Sequence, residues 1–226
     1  MIRFIRAYYY GWLVGLLVLG TGGERLAAQT NQNVSQWEKE IAAFEASDRT
    51  NPPPKDAILF VGSSTIRKWT TLARDFPGQR VINRGFGGSQ IADSTAFAER
   101  IIFPYQPSKI VLYAGDNDLA AGKSPERVVA DFRAFVQKVH ARLPNTTIDY
   151  ISIKPCLARW RLKDKVMAVN GRIKAMQEAK LEFIDIYPAM LGTDGKPKPE
   201  LLLKDGLHPS AQCYELWAKI IKPYLE

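Results

Sequence analysis

The stretch AILFVGSST, residues 57–65, decides the fold class of this 226-residue chain. Its first part, AILFVG, is a continuous apolar run that ends in glycine, as is typical of a strand buried on both faces of a parallel sheet. The same pattern returns in RVINRG (80–85), KIVLYAG (109–115), TIDYISIKP (147–155) and LEFIDIYP (181–188). The sequence therefore predicts a parallel sheet of about five strands.

Helical patterns lie between these runs. The clearest is SPERVVADFRAFVQKVHARL (124–143), in which Ser124 can cap the helix and Pro125 suits its first turn. Apolar residues recur along one face of this helix, at Val128, Phe132, Phe135 and Val139. Strands that alternate with helices predict an α/β fold whose sheet is covered on both faces. Right-handed crossovers bring the carboxyl ends of the strands to one edge, where ligands bind.

The N-terminus has the pattern of a targeting segment. Arg3 and Arg6 precede an apolar run from Tyr8 to Leu19, whose 12 residues fall short of the roughly 20 that a membrane span needs. The small residues of LAAQT follow, so residues 1–28 are predicted to be a secretory signal peptide cleaved after Ala28. The protein is then expected to be exported, to the periplasm or outside the cell. The alternative is an uncleaved membrane anchor.

Residues 29–54 are predicted to form a polar linker and a short helix. Trp37, Ile41 and Phe44 follow helical spacing, and NPPP (51–54) ends the pattern. The main domain is predicted to span residues 55–226.

Composition sets limits on function. The net charge is +8, but the charges are scattered and form no block of like sign, so no nucleic-acid partner is expected. Cys156 and Cys213 lie far apart in the sequence and are expected to be free thiols; the alternative, open to an exported protein, is a disulfide between them. Two cysteines and two histidines are too few and too scattered for a structural zinc site, and no metal or other cofactor is expected.

Polar clusters follow the first three predicted strands and precede the last helix. They are GSST (62–65), NRGFGG (83–88), GDND (115–118) and DGLH (205–208). In a parallel sheet the first three clusters share one edge.

Serine hydrolysis needs a hydroxyl nucleophile, a base, a carboxylate that orients the base, and donors for the oxyanion. His208 is the better base candidate, because Asp205 lies three residues away whereas His140 has no carboxylate nearby in sequence. Ser64 can be the nucleophile, although a serine in this position can also be a helix cap. Gly88 can expose a backbone N–H, and Asn117 can be an amide donor or simply a turn residue.

Taken in this order, the motifs resemble those of the SGNH hydrolases, also called the GDSL family of esterases and lipases. The resemblance implies a flavodoxin-like three-layer sandwich and a triad of Ser64, His208 and Asp205. It also implies oxyanion donors from Ser64, Gly88 and Asn117, and no metal. One position departs from the pattern, because Ser63 stands where the family's first motif usually has aspartate.

Two rival motifs are incomplete. A dinucleotide-binding G-x-G-x-x-G would need glycine where Gln90 stands. The G-x-S-x-G nucleophile elbow would need glycine where Ile66 stands.

The substrate is expected to meet the loop CLARWR (156–161) after the fourth strand, with Arg159 and Trp160 as substrate-binding residues. Trp160 could instead pack on the last helix while the arginines are solvated. An aromatic side chain between arginines suits a polar ester. The sequence has no long apolar lid of the kind that an interfacial lipase would need. The leading hypothesis is a short acyl (acetyl) ester of a carbohydrate. The alternatives are a lysophospholipase, a broad short-chain esterase, or a catalytically silent carbohydrate-binding protein; no stable membrane insertion is expected after signal cleavage.

Overall fold

The computed structural model describes the backbone of residues 22–226 and the side chains from residue 36 onward. Five parallel strands form one sheet in the order β2-β1-β3-β4-β5. The strands are β1 (Ile58–Gly62), β2 (Val81–Gly85), β3 (Lys109–Tyr113), β4 (Thr147–Ile151) and β5 (Leu181–Ile184). This is the flavodoxin-like order. All strands are parallel, and the order in which strands are added to the sheet reverses between β1 and β3. The predicted fold class is confirmed.

Helices cover both faces of the sheet. In chain order they are α1 (Gly22–Thr50), α2 (Ser64–Arg67), α3 (Leu72–Asp75), α4 (Ile91–Ala96), α5 (Ala98–Ile101), α6 (Asp116–Ala120), α7 (Pro125–Arg142), α8 (Lys163–Lys174) and α9 (Ala211–Ile221). Short 3-10 turns supplement them, including Trp160–Leu162 before α8 and Lys222–Tyr224 after α9.

The alternation of side chains along β1 shows why the sheet needs two covers. Leu59 and Val61 pack into a core with α1, α4, α5, α7 and α8. Ile58 and Phe60 point the other way, into a core with α2, α3 and α9. All four of these residues are buried, so β1 is shielded from water on both of its faces.

Helix α7 follows its sequence pattern closely. The Ser124 hydroxyl accepts a hydrogen bond from the backbone N–H of Arg127 at 3.2 Å, and Pro125 is the first helical residue. The four apolar residues of the predicted stripe are all buried: Val128, Phe132, Phe135 and Val139.

The last two strands end earlier than predicted, at Ile151 and Ile184 rather than at residues 155 and 188. The Ser152 N–H still donates to the Ile184 carbonyl at 2.9 Å, but the hydrogen bonds that follow are made with side chains. The Ile153 N–H donates to the side chain of Asn170 at 2.8 Å, and the Ile186 N–H donates to the Ser152 hydroxyl at 3.0 Å. Apolar runs therefore continued past the true strand ends.

The N-terminal region also differs from expectation. Helix α1 begins at Gly22, so the residues predicted to be a polar linker are helical; no proline interrupts the chain before Pro52. Most of the predicted signal peptide, residues 1–21, lies outside the described residues. Cleavage after Ala28 would fall within α1 and would leave Trp37 and everything after it in the mature chain.

Three further observations apply to residues 22–226. Cys156 and Cys213 are buried free thiols, as expected. No helix in this part of the chain combines the length and apolar character that crossing a bilayer requires. Within the same residues, no cluster of three or more His, Cys, Asp or Glu side chains is arranged to hold a metal ion.

Candidate active site

Ser64 follows the carboxyl end of β1, the strand that lies between β2 and β3 in the sheet. Gly62 ends that strand with φ of +140°, and a Cβ at this position would lie 1.9 Å from the carbonyl oxygen of Tyr113 on β3. Glycine is therefore required where the chain leaves the sheet. The turn makes Ser64 the first residue of α2, while the neighbouring Ser63 is fully buried.

The structure brings the predicted histidine and aspartate to this serine. The Ser64 Oγ is 3.0 Å from His208 Nε2, and His208 Nδ1 is 2.6 Å from Asp205 Oδ2. The Asp205 Oδ1 atom accepts hydrogen bonds from the backbone N–H groups of Leu207 and His208, each at 2.9 Å. One carboxylate thus folds the turn and fixes the imidazole.

These contacts also determine the charge of Asp205. The hydrogen bond with the His208 side chain, followed by that with the His208 backbone, lowers the pKa of Asp205 well below its ordinary value. Asp205 is therefore ionised at neutral pH, and its carboxylate accepts a hydrogen bond from the Nδ1–H of His208. The Nε2 atom is then free to accept a proton from Ser64.

Gly88 and Asn117 follow β2 and β3, the two strands that pair with β1. Gly88 has φ of +76°. Apart from Gly88 itself and its two chain neighbours, no heavy atom lies within 4 Å of the position that a Cβ would take. The Asn117 side chain is held at both ends: its Nδ2 donates to the carbonyl of Ser89 at 3.0 Å, and its Oδ1 accepts from Arg159 Nη2 at 3.0 Å. Because the guanidinium can only donate, it leaves the amide nitrogen on the opposite side of the Asn117 side chain.

Beneath Asn117 lies a buried group of charges. The carboxylate of Asp116 is 3.3 Å from Lys154 Nζ and 3.3 Å from Arg159 Nη1, and Lys154 also donates to the hydroxyl of Tyr113 at 3.0 Å. Burial alone would raise the pKa of Asp116, but the two cations outweigh burial and hold the pKa below its ordinary value. The group therefore carries one negative and two positive charges next to Asn117.

Sequence reasoning missed Lys154 and Asp116 as parts of this site. The signal was present, because a single lysine interrupts the apolar run ISIKP, and a buried lysine needs a partner. Reasoning from the residue types could not identify Asp116 as that partner.

The loop after β4 lies beside the His208 turn. The Ala158 N–H donates to the carbonyl of Gly206 at 3.0 Å. Arg159 reaches Asn117, as described, whereas Trp160 is partly exposed and has the Lys163 ammonium 5.5 Å from its ring centre. Arg159 thus contacts Asn117, and Trp160 lines the same small cavity as Arg159 and Asp116.

Topology and chemistry together define a class. At the carboxyl edge of the parallel sheet, hydrogen bonds connect a serine to a histidine and the histidine to an aspartate. This arrangement is typical of serine hydrolases, including those that act on esters.

A family model supports the same class. The model described as the GDSL-like Lipase/Acylhydrolase family matches residues 61–216. The chain belongs to this family, and it is a serine ester hydrolase of the SGNH type. No curated protein sequence matches the chain.

Solved structures share the fold at low sequence identity. A protein from Streptococcus pneumonia named for platelet activating factor is 22% identical with a TM-score of 0.76, over 91% of this chain and 100% of its own. A GDSL-like lipase from Bacteroides thetaiotaomicron is 22% identical with a TM-score of 0.67, over 85% and 97%. An acetyl-xylooligosaccharide esterase from Geobacillus Stearmophilus, studied as a mutant, is 16% identical with a TM-score of 0.62, over 76% and 95%.

Proposed function

We propose that the chain hydrolyses short acyl esters of carbohydrates, acetyl esters above all, with Ser64 as nucleophile, His208 as general base and Asp205 as the residue that orients His208. The observation that carries this proposal is the continuous hydrogen-bond path from Ser64 Oγ through His208 to Asp205, with distances of 3.0 and 2.6 Å.

The chemistry follows from that path. His208 Nε2 takes the hydroxyl proton as Ser64 Oγ attacks the ester carbonyl, and the Asp205 carboxylate stabilises the imidazolium that forms. His208 then gives this proton to the departing alcohol, which leaves an acyl group on Ser64. A water molecule, deprotonated by His208, attacks the acyl group and restores the serine.

The negative charge that develops on the carbonyl oxygen needs donors. The backbone N–H groups of Ser64 and Gly88 and the Nδ2 of Asn117 are the proposed oxyanion hole. The Arg159 guanidinium supports this role. Its hydrogen bond to Asn117 Oδ1 keeps the Asn117 amide nitrogen on the side that faces away from Arg159. Arg159 thereby acts on the site through Asn117, in addition to any contact with substrate.

Charged and aromatic side chains on the loop after β4 favour a sugar ester. Arg159 contacts Asn117, and the partly exposed Trp160 follows it in the chain. Such side chains suit the hydroxyl groups and ring faces of a sugar. Two structural neighbours support this substrate class, an acetyl-xylooligosaccharide esterase and a carbohydrate esterase family 3 protein from Talaromyces cellulolyticus.

A lysophospholipase or a broader short-chain esterase is the second candidate. It is favoured by Leu157 and Leu203, two large apolar side chains that are 43% and 45% exposed on the loops next to the His208 turn. Such side chains can contact an acyl chain longer than acetyl.

Hydrolysis rates separate these candidates. Purified protein and its Ser64→Ala variant would be assayed on 4-nitrophenyl acetate, butyrate and octanoate, then on acetylated xylo-oligosaccharides and a lysophosphatidylcholine. We expect kcat/KM to fall as the acyl chain lengthens, with acetate released from the oligosaccharide and no activity in Ser64→Ala. Preference for octanoate and lysophospholipid would favour the second candidate, and an active Ser64→Ala would refute the mechanism.

We also propose that the protein is exported, from the charge and hydropathy pattern of residues 1–28. Mass spectrometry of the protein from its native host should find Gln29 as the first residue. An intact N-terminus in the membrane fraction would instead indicate an anchor.

A further inference from the structure

The long N-terminal helix α1 contacts the loop that carries Gly88. The indole N–H of Trp37 donates to the carbonyl oxygen of Gly87 at 2.5 Å. One turn later, the carboxylate of Glu40 accepts from the N–H of Gly87, with its two oxygens at 3.2 and 3.4 Å. Both backbone polar groups of Gly87 are thus held by side chains of one helix.

The peptide group between Gly87 and Gly88 makes the first of these contacts consequential. A peptide bond is planar and trans, so the Gly87 carbonyl and the Gly88 N–H point in opposite directions within one rigid unit. A hydrogen bond that fixes the carbonyl oxygen of Gly87 therefore also fixes the direction of the Gly88 N–H. An accepted hydrogen bond also polarises the peptide and makes that N–H a stronger donor.

Gly88 needs such support from outside. Its positive φ and the open space beside its Cα mean that no side chain of its own restrains the loop. The buried Trp37 ring does so, since it packs edge-on against Phe86 at 5.8 Å between ring centres.

Arg67 joins the same contact from the serine side. It ends α2, the helix that Ser64 begins, and its Nη1 donates to Glu40 Oε1 at 3.0 Å. The guanidinium lies against Gly87, where a Cβ would be 2.4 to 2.6 Å from its atoms. Glu40 therefore links the helix of Ser64 to the loop of Gly88.

We propose that Trp37 and Glu40, with Arg67, form a clamp that positions the Gly88 N–H relative to Ser64 for oxyanion stabilisation. These are positioning residues, because none is needed to touch the substrate. The proposal rests on the proposed function, in which Gly88 is an oxyanion donor. It gives helix α1, which precedes the residues matched by the family model, a part in catalysis.

The test removes one hydrogen bond and keeps the packing. Trp37→Phe deletes the indole N–H but retains an aromatic ring against Phe86. We expect kcat for 4-nitrophenyl acetate to fall about tenfold, less than the 100-fold or more that follows complete loss of an oxyanion donor. KM should change little, because the ground-state ester makes only weak use of the oxyanion donors.

The matched control is Trp69→Phe. Trp69 is also buried, and its indole N–H donates to Asp75 at 2.7 Å on the other face of the sheet. Both variants should lose thermal stability, but Trp69→Phe should keep the wild-type kcat. If kcat falls equally in both, or in neither, the clamp is only a structural contact and the proposal is wrong.

A second pair keeps the proposal testable if Trp37→Phe folds poorly. Glu40→Ala removes the acceptor for Gly87 and the partner of Arg67, whereas Glu45→Ala removes a partner of Arg100 elsewhere on α1. Glu40→Ala should lower kcat severalfold, and Glu45→Ala should not.

The substrate atom offers a specific readout. Hydrogen bonds from N–H groups favour oxygen over sulfur, so the ratio of kcat/KM for an ester to that for its thionoester should fall in Trp37→Phe and Glu40→Ala. An unchanged ratio would contradict the proposal. If Ser64→Ala retains activity, the proposed function itself fails; if Ser64→Ala is inactive while both clamp variants match wild type, only the clamp fails.

Discussion

The two ends of the parallel sheet use the same kinds of residue in different ways. At the carboxyl end, His208 bridges Ser64 and Asp205. At the amino end, His140 of α7 has its Nε2 3.1 Å from the carbonyl oxygen of Thr146. One histidine is held in position by a carboxylate and faces a nucleophile, and the other joins a helix to the start of β4.

The buried aspartate–lysine pairs differ in the same way. Asp116 at the carboxyl end has both Lys154 and Arg159 as partners, and its pKa is lowered. The carboxylate of Asp149 on β4 has Lys109 at 3.0 Å, and burial raises the pKa of Asp149 to about 6 because this one lysine does not compensate for it. Two cations hold the pKa of the buried Asp116 below its ordinary value, whereas one cation does not do so for Asp149. The two carboxyl groups therefore take up protons in different pH ranges.

The largest expected effect is the loss of His208. His208→Ala should lower kcat by about four orders of magnitude or more, because Ser64 loses its base. His140→Ala removes the only other histidine and should leave kcat within about twofold of wild type. Both would be assayed on 4-nitrophenyl acetate at one pH. A crippled His140→Ala would mean that the two ends are not functionally distinct.

Asn117 comes next in expected effect. Asn117→Ala removes one proposed oxyanion donor and should lower kcat on the order of 100-fold. Arg159→Gln should lower kcat by a smaller factor, because the Asn117 amide remains. The glutamine removes only the charged fork that fixes the orientation of this amide. Combining Arg159→Gln with Asn117→Ala should cost little more than Asn117→Ala alone. Additive losses would instead mean that Arg159 acts on the substrate directly.

The pH dependence of stability tests the aspartate pairs. The pKa of Asp149 is about 6 in the fold against an ordinary value of 3.8, so the folded state binds its proton more tightly. Its contribution to the free energy of unfolding is present below pH 3.8 and is lost as pH rises through 6. With about 1.4 kcal/mol per tenfold change in proton affinity, the loss is about 3 kcal/mol.

Two variants isolate this effect. Asp149→Asn should gain on wild type by about that amount between pH 4 and pH 7. Asp116→Asn should behave oppositely: it should be destabilised at pH 7, and its deficit should shrink as pH falls below about 4, because the pKa of Asp116 is lowered. Urea titrations at each pH would measure both. Parallel pH curves for the two variants would show that the pairs are equivalent.

The sequence was sufficient for the sheet and for the residues that meet at Ser64. Buried parallel strands leave long apolar runs, and the carboxyl ends of such strands converge by topology, so GSST, NRGFGG and GDND could be placed together. DGLH follows no predicted strand, and its place beside GSST was implied by the family resemblance. Strand ends were less predictable, because the side chains of Ser152 and Asn170 replace a neighbouring strand as hydrogen-bond partners.

Contacts between distant elements could not be predicted. Nothing in the local pattern around Lys154 identifies Asp116 as its partner, and the Trp37 pattern showed only an apolar helix face. Its hydrogen bond to Gly87 spans 50 positions of the sequence.

The smallest expected effect concerns Ser63, the residue that departs from the family's first motif. Its backbone carries the turn, since its carbonyl accepts from the N–H groups of Ile66 and Arg67 at 2.9 and 3.1 Å. Its hydroxyl is buried and has no hydrogen-bond partner within residues 36–226. A buried hydroxyl without a partner is unfavourable. Ser63→Ala should therefore raise the free energy of unfolding by up to about 1 kcal/mol and leave kcat within about twofold of wild type.

Ser124→Ala is the contrasting control, because the Ser124 hydroxyl does cap α7 and its loss should cost about 1 kcal/mol. Urea unfolding and ester hydrolysis would be measured on both. A Ser63→Ala variant that loses activity while Ser64→Ala keeps it would transfer the role of nucleophile to the other serine of GSST.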